Sequence, residues 1–507
     1  MSENFKKKAT LNSISAIIDL VSKSIYLIIL NPIMINKIGI GTFGIWNVIK
    51  QLNQYLNAVD SRSGEPLKWK ISRDRNTVDE SELAEYASGA IHITVYFLPV
   101  LILVGLLLSY YSPYILNVSI DNYLIVRLTT FFLVISLILN KSFSIFDSIL
   151  RGMNLGYKRL GLKTLIIGVD LILTIIGLYL NFGLIGVACV QIFTAFLYNF
   201  VLYRVVVSEI AWFRYIKPSK EVISSLLGLS FQFLTWTLIY FIIGYSDLIV
   251  ISKILGHEEV SRYVITRYLI TTIGLLCIGI VGGIIPGIGV FFGNKDFQKI
   301  LFIRSSGKLA VWYFLYITSS FVLLFNNYLV EIWIEKGMYL GHFENYLLIL
   351  VSVFWIFMSM DNGLINVTLN IQSKILLGFL SLIIMFSTYY FLIPAFALKG
   401  ICIGLILSRL FLYFGYSIII YKSLNFPIKN VANDAFQIIL FVLTSYIIYV
   451  IKKRTGFDYL NFSWQLIFFL IGIVFFSIFY YWIILTSNHK HLVKKYLSNI
   501  LIGLREK

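Results

Sequence analysis

Residues 162–206 read LKTLIIGVDLILTIIGLYLNFGLIGVACVQIFTAFLYNFVLYRVV. One apolar run covers 162–181 and a second covers 183–206, with a turn at 181–183 that carries no Lys or Arg. A helix rises 1.5 Å per residue, so a run of about 20 residues crosses a hydrocarbon core of about 30 Å. The stretch is therefore read as two membrane-crossing helices joined by a tight turn. Working outward, runs of the same kind recur along nearly the whole chain. The fourteen predicted spans are 12–36, 43–61, 88–110, 123–148, 162–181, 183–206, 222–253, 260–285, 304–326, 345–369, 374–393, 397–421, 434–451 and 464–486. Composition agrees: 58% of residues are hydrophobic and 13% charged, against about 25% charged in a soluble globular domain. The mean hydropathy is +0.84. The alternating segments of about 10 residues that build a closed β-barrel are absent. The expected class is an all-α membrane protein of about 14 transmembrane helices.

Two spans stand out. The second, within NVIKQLNQYLNAVDS, is polar along one side. Span 222–253 is too long for one perpendicular crossing and must tilt, kink or project into water. Cys189, Cys277 and Cys402 lie in apolar runs and read as small buried hydrophobes. The N-terminal MSENFKKKATLNSIS lacks a small-residue cleavage site, so the first helix is expected to act as its own insertion signal.

Orientation follows from the basic residues of the short loops. With the N-terminus in the cytoplasm, 28 Lys and Arg fall inside, among them Lys6–Lys8, Arg62 to Arg75, Arg151 to Lys163 and the tail cations Lys490 to Lys507. About 8 fall outside, Lys452, Lys453 and Arg454 being the dissenting cluster. Both termini are expected in the cytoplasm. The net charge of +17 is then a consequence of topology and of attraction to anionic headgroups of membrane lipids. Charges spread over many short loops do not form the single patch that nucleic acid requires.

The chain repeats itself at an offset of about 216 residues. Ile35-Asn36-Lys37-Ile38 matches Ile251-Ser252-Lys253-Ile254, and after a one-residue insertion Trp46 and Lys50 match Tyr263 and Arg267. Pro66 corresponds to Pro286, Ser88-Gly89 to Ser306-Gly307, Asn154-x3-Lys158 to Asn370-x3-Lys374, and Tyr203-Arg204 to Tyr421-Lys422. The expected organisation is a six-helix bundle over 1–215, a second over 216–430, and two additional helices with a basic tail over 431–507. An even number of spans per half gives pseudo-symmetric parallel repeats, which face each other across a central cavity.

The pattern P-x-M-I-N-K-I-G-I-G-T-F-G-I-W (Pro32–Trp46), with the polar second helix ending near Asp60 and Gly64, resembles the opening of Wzx-type polysaccharide flippases. So does D-L-I-V-I-S-K-I-L-G-H-E-E-V-S-R-Y (Asp247–Tyr263), followed by Pro286 and Asp296. These flippases form the PST family of the MOP exporter superfamily, beside the MATE exporters and the lipid II flippase. The resemblance covers roughly residues 10–425, and two extra C-terminal helices fit it. It departs at SRSGEPLKWKISRDRN (Ser61–Asn76), which is charged where the family has small and apolar residues. The resemblance implies a protein of the bacterial cytoplasmic membrane that moves an oligosaccharide on undecaprenyl diphosphate between leaflets for surface polysaccharide assembly. Polysaccharide polymerase or chain-length machinery would be its neighbours, and H+ or Na+ a coupling ion. A MATE-type drug exporter shares the architecture and is the competing expectation.

Charges inside the spans point to the mechanism, because each is costly in lipid and faces protein or a wet cavity. Asn47, Lys50, Gln54 and Asn57 are spaced 3, 4 and 3 and share one helix face. Ser15, Asp19, Ser22 and Tyr26 do so on the first span, beside Lys23. Lys50, Arg267, Lys23 and Lys141 are the candidate diphosphate ligands, Asn47, Gln54 and Asn57 the candidate sugar contacts, and Asp19 and Asp247 the candidate ion-coupling carboxylates. Structural readings compete with each. Asp19 and Lys23 are one helical turn apart and neutralise each other equally well. Asp247 and Asp361 near span ends suit solvation or capping, and Arg127 and Lys141 suit snorkelling to a headgroup layer. Asp170 and Arg409 suit a mutual pair.

Enzyme readings fare worse. A glycosyltransferase acting on lipid-linked sugars needs an acidic outer loop, and K-I-G-I-G-T has none. A polymerase needs a large outer loop, and the longest, about 327–344, is short. No HExxH, GxSxG or Walker A pattern lies in the loops, so neither a catalytic nor a metal site is expected.

Overall fold

The structure, a computed structural model, describes residues 3–58, 60–74, 78–282, 295–368, 371–426, 431–455, 457 and 462–484. Pro286, Asn370, Arg75, Lys429 and the tail cations Lys490, Lys494, Lys495, Arg505 and Lys507 lie outside these residues. The described elements are helical, as lipid demands of a chain that must satisfy every backbone group internally. In order they are α1 (Glu3–Ile38), α2 (Ile40–Ala58), α3 (Gly64–Asp74), α4 (Glu80–Leu116), α5 (Tyr123–Ser142), α6 (Ser144–Gly152), α7 (Gly156–Tyr179), α8 (Gly183–Glu209), α9 (Lys220–Tyr245), α10 (Asp247–Leu255), α11 (His257–Gly282), α12 (Phe297–Trp333), α13 (His342–Thr368), α14 (Ile371–Phe396), α15 (Leu398–Ser423), α16 (Val431–Thr455) and α17 (Phe462–Phe479).

Among the described residues, 12 helices are long and apolar enough to cross a membrane. The two other predicted spans are α2 and α11. Both are helices, but α2 is loaded with Asn, Gln and Lys50, and α11 with Glu258, Glu259, Arg262 and Arg267. The expected count of about 14 is thus roughly consistent with the structure. The quoted hairpin forms as read: α7 ends at Tyr179, Asn181 takes the left-handed backbone (φ 60°), and α8 starts at Gly183. Span 222–253 kinks, breaking between Tyr245 and Asp247 into α9 and α10. Span 123–148 also breaks, at Phe143, into α5 and α6.

The lipid-facing side is as apolar as the core. Leu376, Phe379, Ile383, Phe386 and Tyr390 recur at helical spacing on α14 and are all exposed, a surface no soluble monomer presents. Cys277 and Cys402 are buried as expected, but Cys189 is exposed on α8. Its neighbours there include exposed Phe193 and Phe196; an apolar run in lipid does not imply burial in protein.

The chain forms two compact units. The first comprises Met1–Ile265, Glu331–Tyr339 and Leu369–Gly415, and the second Thr266–Val330, Leu340–Thr368 and Tyr416–Lys507. In the first, the charged segment after α2 is the amphipathic helix α3. Leu67 and Ile71 of α3 are fully buried against Ile145, Ile149 and Leu150 of α6 and Ala84 and Ala87 of α4. Two glycines of the motif in Pro32–Trp46 have distinct uses. Gly39 (φ 80°) turns the chain from α1 into α2, and Gly256 (φ 92°) does so between α10 and α11, the corresponding place in the repeat. Gly44 lets α2 abut the start of α11, where an added Cβ would lie 1.9 Å from the His257 carbonyl oxygen.

Candidate functional site

In the first unit α2 carries its polar face inward. Asn47 is 7% exposed and donates to the Phe43 carbonyl one turn back (2.8 Å). Lys50 is half-buried with its ammonium 5.4 Å over the Trp46 ring, and among the described residues no carboxylate pairs with it. Asn57 donates to Gln54 (3.3 Å), so the two candidate sugar contacts at this end of the stripe are linked. The cross-helix contact comes from a residue outside the predicted stripe: Gln51 donates to Asp247 at 2.7 Å. Asp247 is fully buried and also accepts from Tyr263 (2.9 Å) and from the Leu248 amide (2.9 Å). It is the first residue of α10, at the kink, it ties α2 to α11, and it is not solvated.

Asp19 and Lys23 form the expected intrahelical ion pair, with the carboxylate side chain 7% and the lysine 43% exposed. Tyr26, on the same stripe of α1, donates to Asp170 of α7 at 2.6 Å. Thr194 of α8 donates to the other oxygen at 2.9 Å and Thr174 reaches the first at 3.5 Å. Arg409 donates to the Ile243 carbonyl (3.3 Å). Asp170 is thus held by three hydroxyls and not by Arg409.

The densest charge of this unit lies where α2, α3, α5, α6 and α7 end or begin. Lys141 pairs with Asp60 at 3.0 Å, so it is anchored and does not snorkel. Glu65 of α3 takes Lys68 (2.6 Å) and Arg151 (3.4 Å). Asp147 takes Arg151 and Arg159, each at 3.0 Å. Arg62 donates to the Asn57 carbonyl at 3.1 Å. Burial would raise the Glu65 pKa, but Lys68 and Arg151 outweigh it and draw it down to about 2. Four bases (Lys68, Lys141, Arg151, Arg159) thus pair with three carboxylates (Asp60, Glu65, Asp147), and a fifth, Arg62, bonds to a carbonyl within the electrostatic reach of Asp60 and Glu65. A site with a surplus of cations in a partly dry setting is suited to a multivalent anion. Of these bases only Lys141 stands out in the sequence, because Arg62, Lys68, Arg151 and Arg159 read as basic residues of short inner loops.

The second unit holds Arg267, half-buried on α11, and a charge-balanced quartet that the sequence did not disclose. Arg304 of α12 clamps Asp361 of α13 with two bonds, 2.9 and 2.7 Å. Lys308, one turn on, reaches Asp361 at 2.8 Å and Asp434 of α16 at 3.4 Å. Ser417 and Tyr421 of α15 bond to the Arg304 guanidinium at 2.9 and 3.2 Å. Asp361 is 2% exposed, so the expected solvation is replaced by ion pairing. The predicted span 304–326 contains both Arg304 and Lys308, but α12 begins seven residues earlier, at Phe297, so they lie within the helix and not at its edge. Among the described residues, no group of three or more His, Cys, Asp or Glu could hold a metal ion.

These features define a multi-pass helical membrane protein. Its fold is that of the MATE transporters of the MOP superfamily. A Vibrio cholerae MATE transporter, VcmN, solved as a point mutant, has a TM-score of 0.63 at 13% identity, covering 83% of this chain and 97% of that one. An inward-facing multidrug resistance MATE transporter has 0.60 at 14%, covering 80% and 98%. A MOP superfamily transporter from Pyrococcus furiosus, whose binding pocket of reverse polarity suggests a different function, has 0.61 at 16%, covering 83% and 97%. No family model and no curated protein matches the sequence.

Proposed function

We propose that the chain is a Wzx-type flippase that moves an undecaprenyl-diphosphate-linked oligosaccharide across the bacterial cytoplasmic membrane by alternating access, both termini lying in the cytoplasm. The observation that carries this reading is the surplus of bases (Lys68, Lys141, Arg151, Arg159 and the nearby Arg62) over Asp60, Glu65 and Asp147, which would repel a cationic drug and accept a diphosphate. Lys50, Arg267, Lys23 and Lys141 serve as phosphate ligands in this reading, Arg267 through the bidentate geometry of its guanidinium. Asn47, Gln54 and Asn57 contact sugar hydroxyls. Asp19 or Asp247 carries a coupling proton or sodium ion, so either Asp19→Asn or Asp247→Asn should abolish the dependence of transport on the ion gradient. The two six-helix repeats move against each other, and no chemical step on the substrate is involved.

A cation-coupled MATE-type exporter is the second reading, equally consistent with the fold and favoured by the descriptions of the Vibrio neighbour and the inward-facing one. The Pyrococcus neighbour supports treating pocket polarity as separable from the fold. One experiment separates the two. The chain is expressed in a flippase-deficient strain and in a drug-hypersensitive strain. Restored surface polysaccharide without a change in drug tolerance is expected; raised drug tolerance without polysaccharide would overturn the flippase reading.

A further inference from the structure

At the end of α4 and the start of α5, the first unit builds a cage around one cation. The Arg127 guanidinium lies 4.5 Å from the Tyr110 ring centroid, 5.8 Å from Tyr123 and 5.9 Å from Tyr114. Its Nε donates to the Tyr110 carbonyl at 3.2 Å. Tyr111 extends the aromatic cluster, 5.1 Å from Tyr110 and 6.4 Å from Tyr114. Among the described residues Arg127 makes no ion pair, and Asp121, the charged residue nearest in sequence, is exposed and pairs with no base. The pinned Nε and the surrounding rings fix the guanidinium plane, while its two terminal nitrogens carry no intramolecular hydrogen bond among these residues.

The surface below the cage has the shape of a lipid tail site. Val100, Leu103, Leu107, Tyr110 and Tyr114 are spaced 3, 4, 3 and 4, so they form one stripe on α4. All five are about half exposed. From Val100 to Tyr110 a helix rises about 15 Å, the depth of one leaflet's hydrocarbon. Apolar side chains therefore cover the acyl depth, and tyrosines and a fixed cation occupy the headgroup level.

An aromatic belt alone accounts for the tyrosines. It does not account for the arginine, whose partly exposed guanidinium lies against three rings. We propose that Arg127, in its tyrosine cage, binds the phosphate of an anionic phospholipid in the leaflet at this end of α4, with an acyl chain along Val100, Leu103 and Leu107. Guanidinium and phosphodiester match in charge and in the geometry of two parallel N–H···O bonds. Cation–π contact holds the guanidinium in place without neutralising it. The inference is independent of what the protein transports.

The test uses the purified full chain in nanodiscs with a photoactivatable phosphatidylglycerol, mapping adducts by peptide mass spectrometry. Labelling is expected on the 100–127 segment. It should fall about tenfold in Arg127→Gln, as the loss of one charge-assisted contact of about 1.5 kcal/mol implies, and less in Arg127→Lys, which keeps the charge. Equal thermal stability of the variants shows that the fold survives. Labelling of this segment unchanged by Arg127→Gln would reduce the cluster to an ordinary belt. Competition by a polyprenyl diphosphate at equimolar phosphatidylglycerol would transfer the site to the carrier lipid, and either result overturns the proposal.

Discussion

A single buried charge is worth least when its partner is removed. Asp434 of α16 supplies one of the two carboxylates that balance Arg304 and Lys308, and its side chain is 13% exposed. Asp434→Leu leaves two buried cations on Asp361 and should destabilise the protein by about 3–5 kcal/mol. Removing one charge of each sign, in Lys308→Met with Asp434→Leu, should restore much of that loss, because the remaining Arg304–Asp361 clamp is neutral. Thermal unfolding of the two variants side by side measures the difference. A double variant no more stable than the single one would mean that the quartet does not act as a charge-balanced unit. Such pairs were illegible in sequence because their members are 53 to 130 residues apart and no charge carries a label for its partner. Asp19 and Lys23, one turn apart on the same helix, were legible for the opposite reason.

Helices and their breaks were largely legible. Apolar runs of membrane length admit one backbone solution, so the hairpin at 162–206 and the polar character of α2 followed from hydropathy and length, while for 222–253 length left tilt, kink or projection into water open and the structure takes the kink. The amphipathic α3 did not: Leu67 and Ile71 are only two apolar anchors in a charged stretch, and their burial depends on α6. Close approach of helices was also hidden. Gly44 places α2 against the start of α11, and a Cβ there would meet the His257 carbonyl at 1.9 Å and the Ser261 hydroxyl at 3.0 Å. Backbone cannot yield as a flexible side chain does, so Gly44→Ala should lower stability by about 1–3 kcal/mol. Gly41, with nothing within 4 Å of an added Cβ, is the control, and Gly41→Ala should be close to neutral by the same thermal measurement. Equal losses at both positions would show that helix contact is not the reason for Gly44.

For the whole molecule, the fold class was written in composition and in the length of the apolar runs. Sidedness rests on loop charge alone. Reporter fusions after Lys507 and within residues 111–122 should report the cytoplasmic and external faces respectively; a C-terminus found outside would contradict an even number of spans, with Lys452–Arg454 as the first place to look. The charge surplus on which the proposed substrate rests was the least legible feature, since it is a property of assembled helix ends and not of any one motif. Export of lipid-linked glycan by flippase-deficient cells carrying Lys50→Ala or Arg267→Ala, at native membrane abundance, tests the central claim most directly. Neither variant should restore surface polysaccharide, while Lys50→Arg, which keeps the charge, should restore part of it. Full restoration by both alanine variants would contradict the proposed recognition of a diphosphate by these cations.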